Sequence, residues 1–166
     1  MKRILLLWLI VLCSQPFWVC GQQVSGEFFD RYARAEGFSS VQLERRMMRM
    51  MSRQAADRGD AALARLLDGI ESIRIVALDG GDDTDFLQAA DSLIARPSYR
   101  FQLVMSESDS GQETQFYLRN AVPPGYSEML MVTSGPRETV VVNIYGRFDL
   151  KQVSRLSTIR PKPAAE

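Results

Sequence analysis

Four arginines and the methionines beside them hold the most suggestive chemistry in the chain. Arg45, Arg46, Arg49 and Arg53 lie in one short run. At about 100° per residue they share one side of a helix, and Leu43, Met47, Met50 and Met51 occupy the neighbouring arc. Guanidinium groups bind carboxylate or phosphate in a forked geometry, and methionine side chains adapt to variable apolar surfaces. Glu44 is the only acid close by in sequence, so the positive charge is largely unneutralised locally. The four arginines are therefore expected to remain exposed as a surface for an anionic partner. Met47, Met50 and Met51 are expected to be buried. The plainer alternative is an amphipathic helix with a wet arginine face and no partner at all. Burying one methionine stabilises by about 1.5–3 kcal/mol, so Met50→Ala should cost more than any single arginine change.

Other chemistries have weaker support. Glu107, Glu113, Glu128, Glu138 and Asp149 lie on or beside apolar, β-prone runs. Two carboxyls about 5–10 Å apart in a cleft would make a minimal acid–base pair, so a carboxylate-dependent glycan hydrolase is the alternative function. Acids exposed on strands more commonly keep a sheet soluble. The chain has no histidine, which removes the usual general base and the commonest transition-metal ligand. No Gly-x-Ser-x-Gly elbow is present, and Gly80-Gly81 lacks the lysine of a phosphate loop. The acidic run Asp79–Asp85 lacks the alternating oxygen spacing and closing glutamate of an EF-hand and reads as a strand-to-helix turn. Arg58-Gly59-Asp60 reads as a helix break. No catalytic residue, metal ligand or cofactor is assigned, and the function expected is a non-catalytic binding or interaction module.

Charge and cysteine usage bound the setting. The 166 residues carry 20 basic and 20 acidic side chains, so no net field favours nucleic acid. Lys2 and Arg3 precede the unbroken apolar run Ile4–Leu12, which is too short to span a bilayer comfortably. Val19 and Gly21 supply small side chains for a signal peptidase, giving an expected leader at 1–21 cleaved after Gly21. The rival is lipoprotein processing, with Cys20 as lipid anchor (or Cys13), although Val19 and Leu12 precede those cysteines where Gly, Ala or Ser is usual. Cys13 and Cys20 are the only cysteines, so the mature domain is expected to fold without a disulfide. The chain should be exported, in the periplasm or associated with the outer membrane, with no membrane span after cleavage. Its partner would be an envelope protein or surface component.

The elements that must position these residues are legible from periodicity. Four β-prone runs, YRFQLVMSE, ETQFYLRN, YSEMLMVTS and ETVVVNIYG, are separated by the turns SDSG, AVPPG and SGPR. Three short connections in a row predict an antiparallel meander. Phe101, Leu103 and Met105 should point one way, and Phe116 and Leu118 should oppose Gln115, Tyr117 and Arg119. Upstream, Ser25 can cap a short helix to about Ala35 bearing Phe28, Phe29 and Tyr32. FSSVQL at 38–43 is either a strand or the capping box of the following helix, 44–57. Asp60 caps a helix with Leu63, Leu66, Leu67 and Ile70 on one stripe. A strand over 72–78 follows, then a helix over 84–95 with Phe86, Ala90, Leu93 and Ile94 inward. Asp149 and Gln152 suggest a last helix with Leu150, Val153 and Leu156 inward. The expected fold is α+β: one domain over 22–158, an antiparallel meander sheet with helices packed on one face, and a disordered tail at 159–166.

The runs FFDRYARAEGFSSVQLERRMMRMM and IESIRIVAL, with the closing pattern FYLRN, EMLMV and VVVNIYGRFDLKQVSRL, carry a resemblance. Over roughly Phe28 to Leu156 the chain resembles an uncharacterised family of small exported proteins and lipoproteins of Bacteroidetes, a domain of unknown function. The resemblance implies an envelope location and a link to cell-surface regulation, since such genes often neighbour those of sigma and anti-sigma factors. It transfers no functional residue.

Overall fold

The computed structural model describes residues 24–79, 84–136 and 138–148. The leader, Cys20, residues 80–83 of the acidic run, the helix expected from Asp149 and the tail lie outside the described residues. In chain order the elements are α1 (Gly26–Tyr32), β1 (Phe38–Glu44), α2 (Arg45–Asp57), α3 (Ala61–Gly69), β2 (Ile70–Asp79), α4 (Thr84–Ile94), β3 (Gln102–Asp109), β4 (Gln112–Asn120), β5 (Ser127–Ser134) and β6 (Glu138–Gly146). The strands form one sheet in the order β1-β2-β6-β5-β4-β3, with every neighbouring pair antiparallel. The meander and the α+β class are as the alternation predicted. The ambiguous 38–43 stretch resolves as a strand, paired in register with β2 from Phe38 to Glu44.

The helices do not share one face of the sheet, and here the expectation is corrected. Strand parity divides the core. Val76, Val141, Leu130 and Val132 pack with Phe28 and Phe29 of α1 and Phe86, Ala90 and Leu93 of α4. Ile73, Ile144, Met129 and Leu118, on the opposite parity, pack with Met48 and Ala55 of α2 and Leu66 and Leu67 of α3. Central strands such as β5 are apolar at both parities, so each face needs its own cover. The first face is aromatic: Phe28 stacks on Phe86 at 5.6 Å, and Tyr32 and Phe38 meet Phe86 edge-on at 4.7 and 5.0 Å.

Two local details position these layers. Asp60 caps α3 as expected, its carboxylate accepting from the Leu63 amide at 2.9 Å. At the α3–β2 junction the Arg147 amide donates to the Gly69 carbonyl at 2.7 Å. A Cβ on Gly69 would sit 2.2 Å from the Arg147 carbonyl oxygen, so only glycine allows the end of β6 to lie this close. A register shift between Leu103 and Met105 breaks the alternation expected for β3. Leu103 aligns with Tyr117 and Met105 with Phe116, which places them on opposite faces.

Candidate functional site

Helix α2 leaves β1 without a linker, so its first turn stands at the edge of the sheet. Its buried line is Met48, fully inaccessible, and Ala55, with Ser52 between them. The Ser52 hydroxyl donates to the Ala64 carbonyl of α3 at 2.8 Å. Small side chains at 52 and 55 let the two helices approach closely, and this contact sets the rotation of α2. The expected burial of Met47, Met50 and Met51 is therefore wrong: they are 41%, 50% and 37% exposed. Apolar periodicity favoured the larger methionines, but α3 selects the face that packs at shortest range.

That rotation turns the arginines and two methionines toward one concave surface. Arg45, Arg46, Arg49 and Arg53 all line an open hollow of about 730 Å³, together with Met47 and Met50 and the last residues of β1. Arg49 and Arg53 stand one turn apart on one ridge, and Arg46 and Met50 on the next. Arg46, Arg49 and Arg53 are exposed. Among the described residues no carboxylate pairs with them. Glu44 is the sole acid lining the hollow among those residues, and it accepts from the Gln42 side-chain amide.

Arg45 has a different role from its three neighbours. It is half-buried and paired with Glu71 at the start of β2. Glu71 also accepts from the Tyr126 hydroxyl at 3.0 Å. Burial alone pushes the Glu71 carboxyl up. The hydrogen bonds from Arg45 and Tyr126, with the charges of Arg45 and Arg147, outweigh it and hold the carboxyl below its ordinary value. The hydrogen bond to Glu71 correspondingly raises Arg45, against a smaller cost of burial. Arg45 thus belongs to a structural ion pair at the rim of the hollow. Nothing in its local sequence marks the partner, which lies 26 residues away.

A second polar cluster escaped the sequence reading. Glu128 is fully buried. Its Oε1 accepts from the Ser25 hydroxyl at 2.5 Å and Asn143 Nδ2 at 3.0 Å, and its Oε2 accepts from Arg119 Nε at 2.8 Å. The Val24 and Ser25 amides complete the set at 3.3 Å. Ser25 therefore does not cap α1 with its side chain; its hydroxyl goes to Glu128. The cluster pins the start of α1 to the centre of the sheet. A signal was available: Glu128 shares the parity of Leu130 and Val132, and Arg119 lies directly opposite it in the register. The other acids on or beside the strands behave differently, with Glu107, Glu113 and Glu138 exposed and Asp149 outside the described residues.

Among the described residues, no group of three acids, cysteines or histidines could hold a metal ion, and no helix is long and apolar enough to cross a membrane. A family model described as a domain of unknown function (DUF4252) matches residues 32–156, and the chain belongs to that family. No curated protein and no solved structure matches it.

Proposed function

We propose that the chain is a non-catalytic binding module of the cell envelope, and that it holds an anionic partner in the hollow between β1 and α2. The observation that carries this reading is the convergence of Arg46, Arg49 and Arg53, without described acid partners, with the exposed Met47 and Met50 on one concave surface. Exposed arginines alone need no ligand. Arginines that share a hollow with wet apolar side chains offer charge and desolvation to the same molecule. The envelope setting is supported by Lys2, Arg3, the apolar run Ile4–Leu12 and the small residues at Val19 and Gly21. The resemblance to exported proteins and lipoproteins, with its link to cell-surface regulation, points the same way.

Two experiments test the two halves. Titration calorimetry of the mature protein with poly-L-glutamate should give binding that weakens as salt rises, because the contact is charge on charge. Absence of binding at low ionic strength would overturn the anionic-partner reading. The intact mass of the protein recovered from expressing cells should correspond either to cleavage after Gly21 or to a diacylglyceryl-modified Cys20. Recovery of the uncleaved chain from the cytoplasm would overturn the envelope assignment.

A further inference from the structure

We infer that the partner is an extended acidic peptide that adds as a strand to the free edge of β1. This rests on the anionic-partner reading above and specifies the ligand class. The two edges of the sheet differ in kind. At one edge, β3 carries Glu107 and Asp109 and a register break between Leu103 and Met105. Acids and bulges are the usual protection of an edge against further pairing. At the other, β1 reads FSSVQLE, with no proline, no lysine or arginine, and one acid at its very end. It pairs with β2 from Phe38 to Glu44 without a register shift, and no described strand lies beyond it.

In an antiparallel pair every second residue turns its backbone N–H and C=O away from the partner. The outer edge of β1 therefore presents a regular row of groups that no described residue pairs. At roughly 3.4 Å per residue that row is about 20 Å long, enough for an ordinary strand. Its far end opens into the hollow, since Gln42, Leu43 and Glu44 line it together with α2. A chain added to β1 would send alternate side chains toward Arg46, Arg49, Arg53 and Met50. Charge complementarity selects acidic residues there, with an apolar residue opposite the methionine. Strand addition would supply affinity through the main chain, and the α2 side chains would supply selectivity. The hollow is concave and ends at a strand, which fits a chain better than a flat bilayer.

The test uses the mature protein and synthetic peptides in which Thr alternates with Glu or Leu. The unmodified peptide should bind and should slow hydrogen exchange at alternate amides of residues 38–44. Backbone N-methylation in one alternate frame should weaken binding at least tenfold, while methylation in the other frame leaves it unchanged. Arg46, Arg49 and Arg53 all replaced by Gln should lose the peptide without loss of thermal stability. If the triple variant binds the peptide as tightly as wild type, the anionic-partner reading itself fails. If it loses the peptide but both methylated frames bind equally and β1 amides are unprotected, strand addition alone fails. Binding of anionic vesicles but not the peptide would overturn the proposal in favour of a membrane surface. A dimer of the free protein that protects the same β1 amides would overturn it in favour of a second copy of the chain.

Discussion

Met48 and Met50 are two residues apart, and the difference between them defines α2. Met48 is inaccessible and Met50 is half exposed. Met48→Ala should cost about 2–5 kcal/mol, the range for emptying a buried aliphatic site. Met50→Ala should fall within about 0.5 kcal/mol of wild type, as surface changes do. Denaturant titration of both variants checks this, and equal losses would mean that α2 is rotated from the orientation described. The arginine surface was legible in the sequence as a charged arc. The phase of the buried arc was not, because Ser52 and Ala55 do not look like core residues until α3 lies against them. Arg45 was likewise indistinguishable from its neighbours until Glu71 was placed beside it. That pair carries a pH signature. A carboxyl held below its ordinary value stabilises the fold above the unfolded value, about 4.3 for glutamate, and the gain is lost as pH falls through the lowered folded value. The melting-temperature advantage of wild type over Glu71→Gln should therefore be present at neutral pH and shrink as pH falls below the ordinary glutamate value. An advantage that grows on acidification would contradict the pairing.

At the scale of elements, the strands were the most legible part. Alternation and turn chemistry predict the four-strand meander, and the observed order of β3 to β6 follows it. The break in β3 was hidden, because Leu103 and Met105 read as same-face residues until the register shift separates them. The junction of α3, β2 and β6 was hidden too. The helical stripe that runs through Leu67 to Ile70 gives Gly69 no special role, yet its missing Cβ is what admits the Arg147 carbonyl. Gly69→Ala would force a backbone movement at that crossing and should destabilise by about 1–3 kcal/mol, the usual range for overpacking. Thermal melting reads this directly; an unchanged melting temperature would show that the junction can open without cost. The same crossing places Glu71 beside Arg45, so the variant should also disturb the rim of the hollow.

For the molecule as a whole, the class was readable and the layering was not. Each helix announces one apolar stripe, but no stripe says which side of the sheet it will cover. That choice follows from connections. The α2–α3 hairpin joins β1 to β2 across one face, and α1 and α4 close the aromatic cluster on the other. Buried Glu128 and Arg119 tie the start of α1 to that second face. Removing one partner from such a buried pair usually costs about 3–5 kcal/mol, so the cluster bears on the fold as a whole. On the α2 side, Val41, Ile75, Val142, Met131, Phe116 and Met105 align across all six strands, and none of them is fully buried. The side that carries the arginine hollow is thus also the less completely covered side of the sheet.

Arg46, Arg49 and Arg53 are proposed to form one anion-binding site that the fold does not need. The most direct measurement compares two triple variants by calorimetric titration with the same poly-L-glutamate. One replaces Arg46, Arg49 and Arg53 with glutamine; the other replaces the exposed Arg31, Arg34 and Arg58. Both remove the same charge, so general attraction changes equally. The first variant should lose binding at least tenfold while keeping its melting temperature, and the second should bind nearly as wild type. Equal weakening in both variants, or unfolding of the first, would contradict the account.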